Sequence, residues 1–164
     1  MEQTKILERI KFHEGLRLMP YRDNLGKLTI GIGRCIDTKP FTEEELRFVG
    51  DWKHGITLVA AYQLCRKDIA ECVQQLNTLG FWYHNLDDER KYALIDMCFQ
   101  LGFKGLKGFK NMLKNIEKRN WHGAYYECLN SKYARQTPTR AKRIAILLKT
   151  GRWYENIKEY KEVQ

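Results

Sequence analysis

Long apolar runs, proline and metal-binding patterns are all scarce in this chain of 164 residues, which has 3 prolines. No apolar run approaches the ~20 residues of a membrane span, and the first residues alternate charged with apolar side chains, unlike a signal peptide. The 4 histidines show no metal-ligand spacing, and the 5 cysteines form no Cys-x-x-Cys pair. We therefore expect a product of the cytosol with no cleavable export signal, no metal, no cofactor, and cysteines that serve as small buried hydrophobic residues.

Acidic residues are scarce in the last part of the chain. Residues 104–164 carry 15 Lys+Arg and 5 Asp+Glu, whereas residues 1–103 carry 14 and 15, so the formal net charge of +9 lies in the C-terminal part. Lysines recur there at roughly helical spacing, at Lys104, Lys107, Lys110, Lys114 and Lys118. Such a region indicates an anionic partner, which could be nucleic acid, an acidic cell envelope or a carboxylate-bearing polymer. A solvated helix face explains the lysines equally well.

Helical periodicity dominates the sequence, which has no low-complexity linker and no internal repeat. Thr57 is a candidate N-cap for a long helix, and Thr137, Pro138 and Gly151 are candidates for the cap, the first residue and the end of the last helix. The other predicted helices cover about 4–14, Asp87 to about Leu101 where Gly102 stops the helix, 108–119 and 121–131.

Residues 16–33 differ from the rest because they combine an Asp-Asn-Leu-Gly turn with the period-two alternation of a β-hairpin. The sequence thus predicts one α+β, mostly helical domain over residues 1–164. It would have a small N-terminal lobe at about 13–57, a connector helix at about 58–77, and a helical C-terminal lobe at about 78–164 packed with helix 4–14. A cleft between lobes is a common place for a ligand.

Two carboxylates and a hydroxyl near the hairpin are candidates for catalysis. Glu14 falls on the apolar stripe of the first helix, where partial burial would raise the pKa of its carboxyl group and suit a general acid. Thr29 is expected on one strand face with Gly31 and Gly33, whose bare backbone would let a ligand approach. Together with Asp23 in the turn, these groups suit glycoside hydrolysis. Alternatively, Glu14 bends out to solvent or accepts a bond from a buried arginine, and Asp23 only forms the turn.

Three blocks of the sequence resemble the motifs of the T4-type phage lysozymes, glycoside hydrolase family 24. Residues 13–33, H-E-G-L-R-L-M-P-Y-R-D-N-L-G-K-L-T-I-G-I-G, match the family pattern E-G-x(7)-D-x(5)-T-x-G-x-G, with Glu14, Asp23 and Thr29 at its functional positions. Residues 99–102 (F-Q-L-G) and 136–143 (Q-T-P-T-R-A-K-R) are similar to its F-Q-x-G and Q-T-P-x-R-A-K-R elements. The similarity spans essentially the whole chain and is loosest between about residues 36 and 56.

The resemblance implies a lysozyme fold and cleavage of peptidoglycan between N-acetylmuramic acid and N-acetylglucosamine, with inversion at the anomeric carbon. Glu14 would be the general acid, while Asp23 and Thr29 would hold and activate the attacking water. Phe99 and Gln100 would contact the glycan.

Arg140 would reach towards Glu14 and orient it, which would oppose the effect of burial and leaves the net pKa shift of Glu14 open. The resemblance also implies a monomer made in the host cytoplasm, which would act on the cell wall in the periplasm after release through a holin.

Some positions depart from the family pattern. Cys35, Met112 and Glu127 stand where the family touches substrate through leucine, serine and asparagine, so they are candidate substrate contacts. Arg34 replaces a histidine whose aspartate partner corresponds to Asp68. We therefore predict an Arg34–Asp68 ion pair that lowers the pKa of Asp68.

Two other functions stay open. The chain could be a lysozyme-fold protein that only binds glycan, although its intact set of candidate catalytic residues argues against this. It could also be a nucleic-acid-binding domain, because Arg140, Lys142 and Arg143 are basic residues near a helix start. Against that second alternative, the sequence has no recognition-helix, zinc-finger or RNA-binding signature, and its aromatic residues do not interleave with the charges.

Overall fold

A computed structural model describes residues 1–162 of the chain. Its helices are α1 Gln3–Glu14, α2 Glu43–Val49, α3 Leu58–Leu76, α4 Phe81–His84, α5 Asp88–Lys107, α6 Lys110–Glu117, α7 Trp121–Leu129, α8 Lys132–Gln136 and α9 Pro138–Thr150. Its strands are β1 Arg17–Arg22, β2 Leu28–Gly31 and β3 Arg34–Cys35. The predicted α+β, mostly helical class is confirmed. Within the described residues, no helix combines the length and the apolar character that crossing a membrane requires.

The chain forms two compact units whose boundary lies inside α3. One unit is Glu2–Glu71, and the other begins at Cys72 and includes Met1. The first therefore holds α1, the sheet, α2 and most of α3, and the second holds α4 to α9. The packing of helix 4–14 with the C-terminal lobe stays a prediction.

Helix α1 carries Glu14 as its last residue. Ile6, Leu7 and Ile10 recur at three- and four-residue steps and are buried, which defines the apolar stripe expected from the sequence. Gly15 ends the helix at φ +74°, a value that an L side chain rarely adopts, and its N–H donates to the Lys11 carbonyl at 2.8 Å. Glu14 is half-buried at this helix end.

The sheet has three antiparallel strands in the order β1-β2-β3, one more than the predicted hairpin. Thr29 pairs with Tyr21 on one side and with Cys35 on the other. The expectation that Gly33 shares a strand face with Thr29 is wrong, because β2 ends at Gly31. Gly31 and Gly33 both have φ +68°, and this left-handed backbone turns the chain into β3.

Helix α2 was not predicted from the sequence. It begins with a capping box, in which the Thr42 hydroxyl accepts from the Glu45 N–H and the Glu45 carboxylate accepts from the Thr42 N–H. Apolar side chains of β2, α2, α3 and the loop before α3 form a core cluster of this unit: Ile30, Val49, Ile56, Ala60, Ala61 and Leu64.

The second unit follows most of the predicted helix boundaries. Helix α5 is interrupted at Gly102, whose φ of 76° and ψ of 159° are not helical, but it continues to Lys107 and does not stop at about Leu101 as predicted. Helix α9 has Pro138 in its first turn and ends at Gly151 in the left-handed conformation. Thr137, the predicted cap, makes no capping hydrogen bond; its hydroxyl donates to the Tyr133 carbonyl of the preceding α8 at 3.2 Å and accepts from Gln100 Nε2 at 3.1 Å.

All five cysteines are free thiols. Cys65, Cys72, Cys98 and Cys128 are buried, as expected for small hydrophobic residues. Burial raises the pKa of Cys65 and of Cys128 to about 12. Cys35 differs from them because it is partly exposed on the last strand of the sheet.

Candidate active site

The carboxyl group of Glu14 lies against the bare backbone of Gly33. A Cβ atom built on Gly33 would stand 2.6 Å from both Cδ and Oε2 of Glu14, well inside van der Waals contact. Glycine is favoured at this position on two grounds, its positive φ of +68° and the room that it leaves for the Glu14 carboxyl group. The turn between β2 and β3 thus brings the end of α1 to the sheet.

One backbone oxygen connects the other two candidate catalytic residues. The Lys27 carbonyl accepts the N–H of Asp23 at 2.9 Å and the hydroxyl of Thr29 at 3.0 Å. The Asp23 carboxylate closes the turn through Oδ1, which accepts the N–H groups of Leu25 and Lys27 at 2.8 and 2.9 Å. Asp23 therefore forms the turn through Oδ1. Its second oxygen, Oδ2, makes no hydrogen bond within residues 1–162.

The hydrogen bond of Thr29 fixes what its hydroxyl can do. The side chain is 4% exposed and gives its single proton to the Lys27 carbonyl, so towards any further group Thr29 can only accept. An ionised Asp23 can also only accept. Asp23 Oδ2 and the Thr29 hydroxyl oxygen thus offer two acceptors, which suits the two protons of one water molecule.

Register explains why Tyr21 also belongs to this surface, although the sequence analysis did not identify it. The turn closes with Asp23 opposite Lys27, so Arg22 pairs with Leu28 and Tyr21 with Thr29. The Asp-Asn-Leu-Gly turn was visible in the sequence, and counting outward from it would have found the partner of Thr29.

The predicted Arg34–Asp68 ion pair is confirmed. Arg34 NH1 lies 3.2 Å from Asp68 Oδ1, and both residues are buried. Sequence reasoning missed the second carboxylate, Glu45, whose Oε1 accepts from Arg34 NH2 at 2.6 Å. Arg34 Nε also donates to the Lys39 carbonyl at 3.0 Å, while the Lys39 ammonium donates to Asp68 at 2.7 Å. This network fixes β3 directly after Gly33.

The predicted pKa direction for Asp68 is wrong. Burial raises the pKa of Asp68, and this effect outweighs the lowering by Arg34 and Lys39. Glu45 behaves in the opposite way, since hydrogen bonds from Arg34 and from the Thr42 backbone overcome its desolvation and lower its pKa to about 2. One guanidinium shared by two buried carboxylates favours full ionisation of one of them at the expense of the other.

Phe99 and Gln100 lie on α5 in the second unit and are half-buried. Gln100 Nε2 donates to the Thr137 hydroxyl at 3.1 Å, while its Oε1 is buried without a hydrogen-bond partner within residues 1–162. A buried carbonyl oxygen of this kind is able to accept from a ligand. Both residues stay predicted glycan contacts.

Met112 and Glu127 line one cavity of about 530 Å³ in the second unit. Phe109, Lys110, Asn130 and Ser131 also line it. Met112 is only 1% exposed, so the half-buried Glu127 offers the more accessible group. The cavity is consistent with a substrate-binding role for both residues, which stays a prediction.

Arg140 donates through Nε to Asp96 Oδ1 at 2.9 Å. Asp96 is fully buried and also accepts the Tyr92 hydroxyl at 2.9 Å, so this end of Arg140 is fixed within its own unit. Its orienting effect on Glu14 stays a prediction. The five lysines from Lys104 to Lys118 that were noted in the sequence are all exposed.

Comparison with known proteins gives consistent results. The profile of the family described as phage lysozyme matches residues 11–148. Probable T4-type lysozyme 2 of Dictyostelium discoideum is 33% identical over 172 residues, covering 96% of this chain and 99% of that protein. Probable T4-type lysozyme 1 of the same organism is 34% identical, covering 90% and 95%. Pre-baseplate central spike protein Gp5 of Enterobacteria phage T4 is 29% identical, covering 88% of this chain and 27% of that protein.

Proposed function

The chain belongs to the phage lysozyme family and is a lysozyme, and on that premise we propose that it cleaves peptidoglycan by a single inverting displacement. The bond is the β-1,4 linkage from N-acetylmuramic acid to N-acetylglucosamine. The observation that carries the mechanism is the hydrogen bonding at the Lys27 carbonyl, which accepts the Asp23 backbone N–H and the Thr29 hydroxyl and so leaves both side chains as acceptors, while the Glu14 carboxyl group lies against Gly33 of the same unit.

Glu14 acts as the general acid. Its half-buried carboxyl group at the end of α1 gives a proton to the glycosidic oxygen as the bond to the anomeric carbon breaks. Gly33 has no side chain, and this leaves room for the carboxyl group beside the turn.

Asp23 and Thr29 orient the attacking water. The water donates one proton to the Thr29 hydroxyl oxygen, whose own proton is directed at Lys27, and the other to Asp23 Oδ2. Its lone pair is then free to attack the anomeric carbon from the face opposite the leaving group. Asp23 takes up the proton as the carbon–oxygen bond forms, and its negative charge faces the oxocarbenium-like transition state.

The atoms balance over one turnover. The glycosidic oxygen gains the Glu14 proton, the anomeric carbon gains the water oxygen, and Asp23 gains the water proton. Proton exchange with solvent then returns both carboxyl groups to their starting states. Because one displacement occurs, the configuration at the anomeric carbon inverts.

The biological setting is part of the proposal. We infer a bacteriolytic enzyme of the endolysin type that acts as a monomer in host-cell lysis. It would be made in the host cytoplasm and would reach the wall in the periplasm after holin-dependent release. The exposed lysines of the second unit suit attraction to an anionic envelope.

Purified sacculi provide the test. The digest is reduced with borohydride and the muropeptides are identified by mass spectrometry, with the Glu14→Gln variant as the control. New muramitol ends are expected from the parent protein and not from the variant. Glucosaminitol ends or 1,6-anhydro products would contradict the proposal. Binding to sacculi without new ends would favour the glycan-binding alternative, and a salt-sensitive DNA gel shift without cleavage of sacculi would favour the nucleic-acid-binding one.

A further inference from the structure

Tyr21, Thr29 and Cys35 form a row across the three strands. Tyr21 pairs directly with Thr29, and Thr29 pairs directly with Cys35. Directly opposed residues of antiparallel strands project from the same face, with Cβ atoms about 4.5–5.5 Å apart. The tyrosine ring and the cysteine thiol therefore flank the hydroxyl of Thr29.

An irregularity in β1 adds Arg17 to this face. A regular ladder that starts from the Tyr21–Thr29 pair would place Arg17 opposite Gly33, but Arg17 is paired with Gly31. The extra residues of β1 bring the Arg17 guanidinium carbon to 4.4 Å from the centre of the Tyr21 ring. Bulges of this kind re-aim side chains, and stacking under a guanidinium holds an aromatic ring in place.

The Tyr21 hydroxyl is an available donor. Within residues 1–162 we find no protein hydrogen bond to it, although the residue is half-buried and such hydroxyls usually have a partner. Burial, together with the negative charges of Glu14 and Asp23, raises the pKa of Tyr21 above its ordinary value, against the effect of Arg17. The phenol therefore keeps its proton at neutral and moderately alkaline pH.

Few other groups on this surface can donate a hydrogen bond to a sugar. Asp23 only accepts, the Thr29 proton is directed at the Lys27 carbonyl, and the Glu14 proton is transferred in the reaction. The Cys35 thiol is a weak donor. A glycan, by contrast, carries many acceptors in its hydroxyl, ring and acetamido oxygens.

We propose that Tyr21 is a further substrate-contacting residue of this enzyme, whose phenolic O–H donates to an oxygen of the sugar bound over Thr29. Arg17 is the positioning residue that holds the ring in the orientation this bond requires. The role rests on the proposed function, because it takes the sugar to bind beside Glu14 and Asp23.

Tyr21→Phe tests this role because it removes the hydroxyl and keeps the ring that stacks on Arg17. Tyr126→Phe is the matched control, since Tyr126 is 60% exposed on α7 and lies outside the candidate site. We expect Tyr21→Phe to lower kcat/KM on purified sacculi by about three- to tenfold, the effect of one neutral hydrogen bond. The melting temperature should stay unchanged, and Tyr126→Phe should alter neither quantity.

A binding measurement separates this role from catalysis. In the Glu14→Gln background, calorimetry with the tetrasaccharide of alternating N-acetylglucosamine and N-acetylmuramic acid should show a Kd raised about three- to tenfold by Tyr21→Phe. Unchanged kcat/KM and Kd would show that the hydroxyl does not contact substrate. If the parent protein makes no new ends in sacculi, the proposed function fails instead, and the tetrasaccharide binding still reports on Tyr21.

Discussion

Substitution of Gly33 by alanine tests the geometry at Glu14 directly. The new Cβ would stand 2.6 Å from Cδ and Oε2 of Glu14, so the carboxyl group must move by about 1 Å to restore van der Waals contact. A misplacement of that size costs catalysis about 100-fold. We therefore expect Gly33→Ala to lose about two orders of magnitude of lytic activity.

The stability cost of the same change has a separate cause. An L residue at φ +68° costs about 1–2 kcal/mol, which corresponds to a fall in melting temperature of about 2–8 °C for a chain of this length. Gly50→Ala is the matched control, because Gly50 ends α2 at φ +60° and a Cβ there would meet nothing within 4 Å. It should lose comparable stability and keep its activity.

Turbidity of chloroform-treated Gram-negative cells measures lysis, and circular dichroism measures the melting temperature of each variant. The lytic activities of Gly33→Ala and Gly50→Ala are compared at equal folded fraction. Their ratio separates the effect of displacing the Glu14 carboxyl group from the effect of backbone strain. If Gly33→Ala lyses cells within a few-fold of Gly50→Ala, the contact between Gly33 and Glu14 does not control the reaction.

Three further predictions concern the network, the thiol and the stereochemistry. Arg34→Met should lower the free energy of unfolding in urea by about 3–5 kcal/mol at pH 8, because it leaves Glu45 and Asp68 buried without their guanidinium. The loss should be smaller at pH 4, where protonation of the carboxylates relieves that cost. Equal losses at both pH values would contradict this. Iodoacetamide should label the partly exposed Cys35 first and lower lysis at least about tenfold by crowding Thr29; full activity after complete labelling of Cys35 would contradict this. Proton NMR of a defined oligosaccharide should show the α-anomer first, as expected for an Asp23-activated water and carboxyl groups about 6.5–9.5 Å apart; initial β-anomer would indicate a glycosyl-enzyme.

The pH dependence of the network follows from two opposite shifts. The folded pKa of Glu45 is lowered to about 2, so its contribution is present above the unfolded value and is lost as pH falls towards 2. The folded pKa of Asp68 is raised, so its contribution is present below the unfolded value and is lost as pH rises through the folded one. As the pH falls, the stabilisation from Glu45 is therefore lost while that from Asp68 is gained.

The helices were largely predictable because their signals are local. Thr57 caps α3 through a hydrogen bond from the Ala60 N–H at 3.1 Å, and Gly102 interrupts α5 where the sequence predicted that the helix would end. The capping box of α2, Thr42 with Glu45, was equally local and was overlooked. Thr137 does not cap α9; its hydroxyl accepts from the Gln100 amide and donates to the Tyr133 carbonyl, and these contacts exist only in the folded chain.

Less of the site was predictable because it depends on tertiary contacts. β3 has two residues and exists through its pairing with β2, which the alternation of side chains did not indicate. The alternation of side chains likewise did not indicate the bulge that brings Arg17 beside Tyr21. The ion pair at Asp68 was predicted from its residue types, whereas the direction of its pKa shift depends on a degree of burial that the sequence does not carry.

The most direct test of the central claim compares Glu14→Gln with Glu8→Gln. The two residues lie on the same helix, but Glu8 is an exposed residue that pairs with Lys11 at 2.8 Å. Lysis rates and melting temperatures are measured on both purified variants and on the parent protein. Glu14→Gln should lose several orders of magnitude of lytic activity with its fold intact, because the amide has no proton to transfer, while Glu8→Gln keeps the parent rate. Substantial lysis by pure, folded Glu14→Gln would contradict the assignment of Glu14 as the acid.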